Sequence, residues 1–305
     1  MIGNGHASLW KGWTKNLISS CLHIYNGGFM NKLYALLMAV VLLLSLVACS
    51  EKDNNNPTAV HIWAYKLDQF ISREAVSDSL DASAADTCDF RRLYNYEIVS
   101  GADGFSPRMS QYAGYDLDWN SFKQGYFVPE NGNRTWFPTS LNLPGAFKVT
   151  NTGYFRMYRK IDVYAGVRAV QSIELRGLPI YSITNWDGNL ENAVKLSDLV
   201  SGIASYDSVR IVCYDNYGID KYYHQDAIND GYYLLETERT IFPNVNPGTG
   251  MTKMKKVAFI DVIGAASAQN IETIIAPTTE ADMIFTMPVS LNSYQATDLN
   301  GIINK

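Results

Sequence analysis

The chain is poor in the residues that most catalytic and metal sites require. Past residue 48 it holds only two histidines, His61 and His224, and three cysteines, Cys49, Cys88 and Cys213. Zinc sites usually combine three or four His, Cys or carboxylate ligands. Asp220, His224 and Asp226 stand close together in "DKYYHQD", where the plain reading is a surface histidine among charges. "DLDWNSFKQG" opens as a calcium loop does, with Asp116, Asp118 and Asn120, but lacks the glycine at the sixth position and the glutamate at the twelfth. Gly-x-Ser-x-Gly, the Walker loop and His-Glu-x-x-His are all missing. Basic runs are missing too. The net charge is −5, and from Cys49 onward it is −8, because Lys11, Lys15 and Lys32 are the only charged residues before that point. Nucleic-acid phosphates call for clustered Lys and Arg, so no nucleic-acid partner is expected. Nor is any catalytic residue, metal or cofactor.

One apolar run stands out, Leu33 to Val47, "LYALLMAVVLLLSLV". It is short for a spanning helix, which needs ~20 apolar residues. Its length suits the apolar centre of a secretory signal, with Met30-Asn31-Lys32 as the positive start. On this reading residues 1–29 are upstream of the true start and 30–48 are the signal peptide. Leu46-Val47-Ala48-Cys49 resembles a bacterial lipobox, which implies that Cys49 becomes the first mature residue and carries lipid on its sulfur. At about 0.8 kcal/mol per buried CH₂, two or three acyl chains anchor stably where one does not. The membrane would be a partner through this lipid alone. Residues 49–57 continue as a polar, asparagine-rich tether. "SEKDNNN" resembles the acidic export signal of Bacteroidota surface lipoproteins. The resemblance implies an outer-membrane protein facing the cell exterior, with the periplasmic face as the alternative.

The remaining chain is rich enough in core residues, 47% hydrophobic overall, to form a packed globule. Cys88 and Cys213 would be two buried thiols or one disulfide. The chain also repeats itself. "YEIVSGADGFSP" and "WNSFKQGYFVPENGNRTWFP" run parallel to "VRIVCYDNYGID" and "HQDAINDGYYLLETERTIFP". Each reads as a strand, a tight turn at Asp103-Gly104 or Asp215-Asn216, a short polar segment, and a Gly-Tyr-aromatic step. Gly and Asn suit turns that need positive φ. "YKLDQFISREA" and "VKLSDLVSGIA" precede the two units as short amphipathic helices, and "RAVQSIEL" and "KVAFIDVI" follow as strands. We therefore expect an α+β protein of two tandem, largely antiparallel β domains with short helices, at 58–177 and 178–277. A tail at 278–305 is expected to pack on the second.

The second unit resembles the molybdopterin-binding domain of the sulfite-oxidase type. Leu196 and Leu199 match that family's Leu-x-x-Leu helix, Asp215 and Tyr217 its turn, with Asn216 in place of glycine, and Lys256 and Ile260 its closing strand. Asp103-Gly104-Phe105 and "GYFRMYRKIDVYAGVRAVQSIEL" carry the likeness into the first unit. The resemblance implies a fold and, in the family, a molybdenum held by a loop cysteine with arginines near the pterin phosphate. That loop is absent here. Cys213 falls within a strand, and Cys88 has no arginine-rich sequel beyond Arg91-Arg92. Met30–Lys32 also lacks the arginine pair used to export folded cofactor proteins.

Aromatic side chains near amides and carboxylates are what is left to bind with. Trp119, Trp136, Trp186, Tyr223 and Tyr232 are the candidates, since flat rings with a polar handle suit sugars or protein partners. The expected function is a non-catalytic, lipid-anchored binding lipoprotein for a glycan, a small nutrient or a protein partner, with an outer-membrane uptake complex among the candidate partners. Its binding face would be the cleft between the repeats. An oxidoreductase with a degenerate molybdopterin site and a structural component of cell-surface assembly are the alternatives.

Overall fold

The structure, a computed structural model, describes residues 62–76, 89–109, 117–165, 168–265, 272–274 and 281–299. The lipobox Leu46–Ala48, Cys49, the tether and Cys88 lie outside the described residues. In chain order come β1 (Trp63–Lys66), α1 (Arg73–Val76), β2 (Tyr94–Ser100), β3 (Leu117–Asp118) and α2 (Trp119–Phe122). Then follow β4 (Tyr126–Val128), β5 (Arg134–Trp136), β6 (Thr152–Ala165), β7 (Arg168–Glu174), β8 (Tyr181–Thr184) and β9 (Leu190–Lys195). The rest are α3 (Leu196–Leu199), β10 (Ser208–Cys213), α4 (Gln225–Asp230), β11 (Tyr232–Leu234), β12 (Thr240–Ile241), β13 (Val257–Ile263), β14 (Glu272–Ile274), β15 (Met283–Thr286) and β16 (Ala296–Asp298). Most of the pairings are antiparallel and the helices are short, an α+β arrangement of β sheets.

Two halves follow one plan. In the first, β1 pairs with β4 and β4 with β5; in the second, β9 pairs with β11 and β11 with β12. Beside these small sheets, β2 pairs with β6 and β10 with β13. The loop hydrogen bonds repeat as well. Thr135 N donates to Val149 O at 3.0 Å and its hydroxyl accepts from Val149 N at 3.0 Å; Thr240 and Met254 do the same at 3.0 and 2.9 Å. At the turns, Gly104 and Asn216 take left-handed backbone conformations, φ 72° and 66°, and Asp103 and Asp215 each accept from the amide two residues on. Asp118 caps α2 by accepting from Ser121 N at 2.7 Å.

Strand β6 joins the halves. It is 14 residues long, against 7 for its counterpart β13. Residues 154–157 are flanked by β2 and β15, and residues 162–165 by β7 and, in parallel, β13. The halves therefore share a sheet and do not fold as two separate domains at 58–177 and 178–277, because β6 is long enough to offer edges to both. Alternation sets its faces. Phe155 and Met157 enter one hydrophobic core with Tyr96, Ile98 and Phe122, while Ile161 and Val163 enter a second with Val209, Ile211 and Tyr233.

The tail corrects the sequence expectation: it packs on the first half, not the second. Met283 and Phe285 of β15 lie against the first core, and β16 pairs with β1. The reason is a vacancy in the sheet plan. The second small sheet takes its fourth strand, β8, from the residues just before β9, whereas the first takes β16 in the matching place beside β1.

Candidate cleft between the two halves

The 3-10 turn Phe90–Leu93, just before β2, forms one wall of a concavity of about 480 Å³. Opposite it stand Tyr214 and Asn216 from the turn after β10 and Ala258 of β13, so both halves line it. Asp89 starts the turn. Its carboxylate accepts from Arg91 N at 3.2 Å, from Arg91 Nε at 2.8 Å and from Arg91 Nη2 at 3.0 Å. Arg91 also donates to Ile71 O at 3.0 Å and lies 4.1 Å from the centre of the Trp119 ring. These contacts fix its fork. Burial alone would raise the Asp89 pKa, but the Arg91 hydrogen bonds and charge, with Arg73 behind them, hold it below the usual carboxylate range. Arg92, next in the turn, is exposed and pairs with no carboxylate among the described residues. Arg73 completes the basic lining.

The floor is tied to the middle of the molecule. Lys256 Nζ lies 4.4 Å from the centre of the Phe90 ring, and Tyr214 meets that ring edge-on at 4.8 Å. Lys256 is paired with Glu238 at 3.0 Å, and Glu238 with Arg159 at 2.7 Å. Arg159 stands between the two cores on β6, where it donates to Leu93 O at 3.3 Å and Val257 O at 2.5 Å and to the Tyr233 hydroxyl at 3.1 Å. Burial raises the Glu238 pKa, yet Arg159 and Lys256 outweigh it and hold the carboxyl below its ordinary value. Glu238 and Lys256 both have positive φ, 49° and 47°; the matching loop places of the first half hold Asn133 and Asn151, at 50° and 52°. Asn tolerates this region, and long charged side chains adopt it at some cost.

No family model, curated protein or solved structure matches the chain. The site is read from its own residues.

Of the aromatic candidates, two are corrected. Trp119 is 3% exposed, packed on Phe122 and Tyr96, because it opens a capped helix whose inner face it fills. Tyr223 is 1% exposed, stacked on Phe242, and its hydroxyl donates to Met251 O at 2.8 Å. Neither ring can meet a ligand. Trp136 is half-buried against Tyr126, and Tyr232 is half-buried and edge-on to Tyr181. Trp186 is exposed in the β8–β9 loop, its indole N–H 3.4 Å from Thr240 O and Lys253 over its ring at 4.2 Å. None of the five lines the cleft, whereas the turn residue Asn216 does.

Cys213 does not fit a thiolate ligand. It is a free cysteine buried in the second core, and burial, then the nearby Asp215 charge, pushes its thiol up to about 12. Tyr217 and Asp215 belong to the exposed turn beyond it.

Sequence reasoning also missed the charged side of the shared sheet. Arg156, Tyr158, Lys160 and Asp162 alternate with the core residues of β6. Tyr158 donates to Glu97 at 2.6 Å, Arg108 pairs with Glu174 beneath the Tyr158 ring, and Lys160 pairs with Asp162 at 2.8 Å. The two-residue period of "YFRMYRKIDV" was the available signal. These groups neutralise one another, as buried charges must.

Proposed function

We propose that the chain is a lipid-anchored, surface-exposed lipoprotein that binds a ligand without chemical conversion. The ligand would sit in the cleft where its two halves, of sulfite-oxidase-like fold, meet. The observation that supports this reading is the cleft itself. Its volume of about 480 Å³ suits a small ligand, and it lies at the junction of two repeats, where ligand sites favour forming. The guanidinium groups, the Asn216 amide and the rings around it offer polar recognition. Among the described lining residues no nucleophile stands beside a base. The likeness of fold alone assigns no activity. The lipobox at Leu46–Cys49 supports the anchor, and the polar tether after it supports an outward-facing position.

Two measurements test this. Replacing Cys49 by Ala is expected to move the protein from the membrane to the soluble fraction, and continued membrane retention would refute the anchor. Screening the purified protein on a glycan array is expected to give a saturable signal. Stoichiometric molybdenum, or a pterin released on denaturation, would instead refute the binding-protein reading.

A further inference from the structure

We infer that the cleft takes the oxyanion of a small acidic ligand, a carboxylate or a sulfate borne on a saccharide; this rests on the reading of the chain as a binding protein. Among the described residues the lining is basic, although the chain as a whole is acidic, at −5: Arg91 and Arg92 line the concavity, with Arg73 beside them, and Asp89 is the one described carboxylate there. That carboxylate is already committed: Asp89 accepts three times from Arg91. Arg92, exposed beside it, meets no carboxylate among the described residues. Beneath them, the Lys256 charge is balanced by Glu238, and that of Arg159 is shared with the same carboxylate, so the floor adds no negative excess.

The wall is also built to keep its shape. The turn carrying Arg91 and Arg92 is pinned at three places: Arg91 on Trp119 and Ile71 O, Phe90 between Lys256 and Tyr214, and Leu93 O under Arg159. A guanidinium on a fixed turn recognises planar or tetrahedral oxyanions through paired N–H donors. Asn216, held in the left-handed conformation, brings an amide to the opposite wall for the neutral part of the ligand. Arg92 supplies the anion contact, and Arg91 positions the turn.

The test uses the full lipidated chain in detergent micelles and isothermal titration with three probes: digalacturonate, galactose 6-sulfate and neutral galactobiose. At least one acidic probe is expected to bind, with the neutral one at least about tenfold weaker. Raising the salt is expected to weaken the acidic probe, since partly exposed charges are screened. Arg92→Gln is expected to weaken it by about tenfold or more with an unchanged unfolding midpoint, and Arg92→Lys to restore part of the loss. The acidic probe that binds identifies carboxylate or sulfate as the group recognised. Equal binding of the neutral probe, or acidic binding indifferent to salt and to Arg92→Gln, would overturn the anion inference and leave the binding-protein reading standing. Failure of both acidic probes with folded protein would overturn it too. A silent glycan array on the same sample would separately remove the saccharide version of the broader reading.

Discussion

Gly125 and Gly231 occupy matching places in the two halves, each just before the strand that enters the small sheet. Leu67 N donates to Gly125 O and Leu196 N to Gly231 O, both at 3.0 Å. A Cβ on Gly125 would stand 2.6 Å from Leu67 Cδ1, with the edge of the Phe137 ring closer still. A Cβ on Gly231 would stand 2.5 Å from Leu196 Cδ1 and 2.6 Å from Phe242 Cε1. All four neighbours are buried, so none can swing into solvent. Neither glycine has positive φ, so the effect of alanine is steric and not a matter of backbone conformation. Overpacking costs about 1–3 kcal/mol, and the stiffer unfolded chain returns about 0.4–1, leaving a net loss of roughly 1–2 kcal/mol for Gly125→Ala or Gly231→Ala. For a chain of this size that is a fall of roughly 2–8 °C in Tm. Gly145→Ala, with nothing near its Cβ, is the control and should change little. Because β6 carries both cores, calorimetry should show one transition, moved by either variant, and moved by the sum in the double variant. An unchanged or raised midpoint would refute the packing argument. Two transitions, each sensitive to only one variant, would refute the shared sheet.

Other outcomes follow from the same contacts. Arg159→Met leaves Glu238 with one cation and strips donors from two buried carbonyls, so denaturant unfolding should show a loss of roughly 3–5 kcal/mol. The lowered Glu238 pKa means its stabilisation is complete above the unfolded glutamate value, about 4.3, and disappears as pH falls through the lower folded value. Glu238→Gln should therefore lower stability near neutrality and make its decline on acidification shallower, as read by urea unfolding from neutral to acidic pH. Trp119→Ala should cost about 3–5 kcal/mol, while Trp186→Ala should cost less than about 1; equal costs would contradict their burial.

The local plan was legible where short-range rules act. The turns at Asp103-Gly104 and Asp215-Asn216 require positive φ, and their residues advertise it. The recurrence of "YKL" and "VKL" before a helical turn, and of the Gly-Tyr-aromatic step, is matched by β1 with β4 and β9 with β11. Strand partners were not legible, because period reports which face a residue occupies and never which strand lies beside it. Nearness in sequence suggested the second half for the tail. The deciding fact was instead that β8 already fills the open edge of the second small sheet by local pairing with β9, which leaves β16 to pair with distant β1, Trp63 opposite Asp298.

The site was less legible for a different reason. Trp119 and Trp186 look alike in a sequence, but one follows a helix cap and the other sits in "NWDGN", a turn that faces solvent. Arg91 and Arg92 form no basic run, and the charge of the cleft appears only when folding adds Arg73 and the turn closes on Tyr214. The more informative signal lies in how the halves differ. If the left-handed places before β5 and before β6 needed only a tolerant backbone, Asn133 and Asn151 would be the sufficient solution, and the second half would have kept it. It carries Glu238 and Lys256 there instead, accepting the backbone cost, because Arg159 stands between the cores and needs a counter-charge. That replacement holds the wall of the cleft from below through Phe90 and Leu93. A duplicated frame thus marks its specialised region by the positions at which one copy gives up the easier residue.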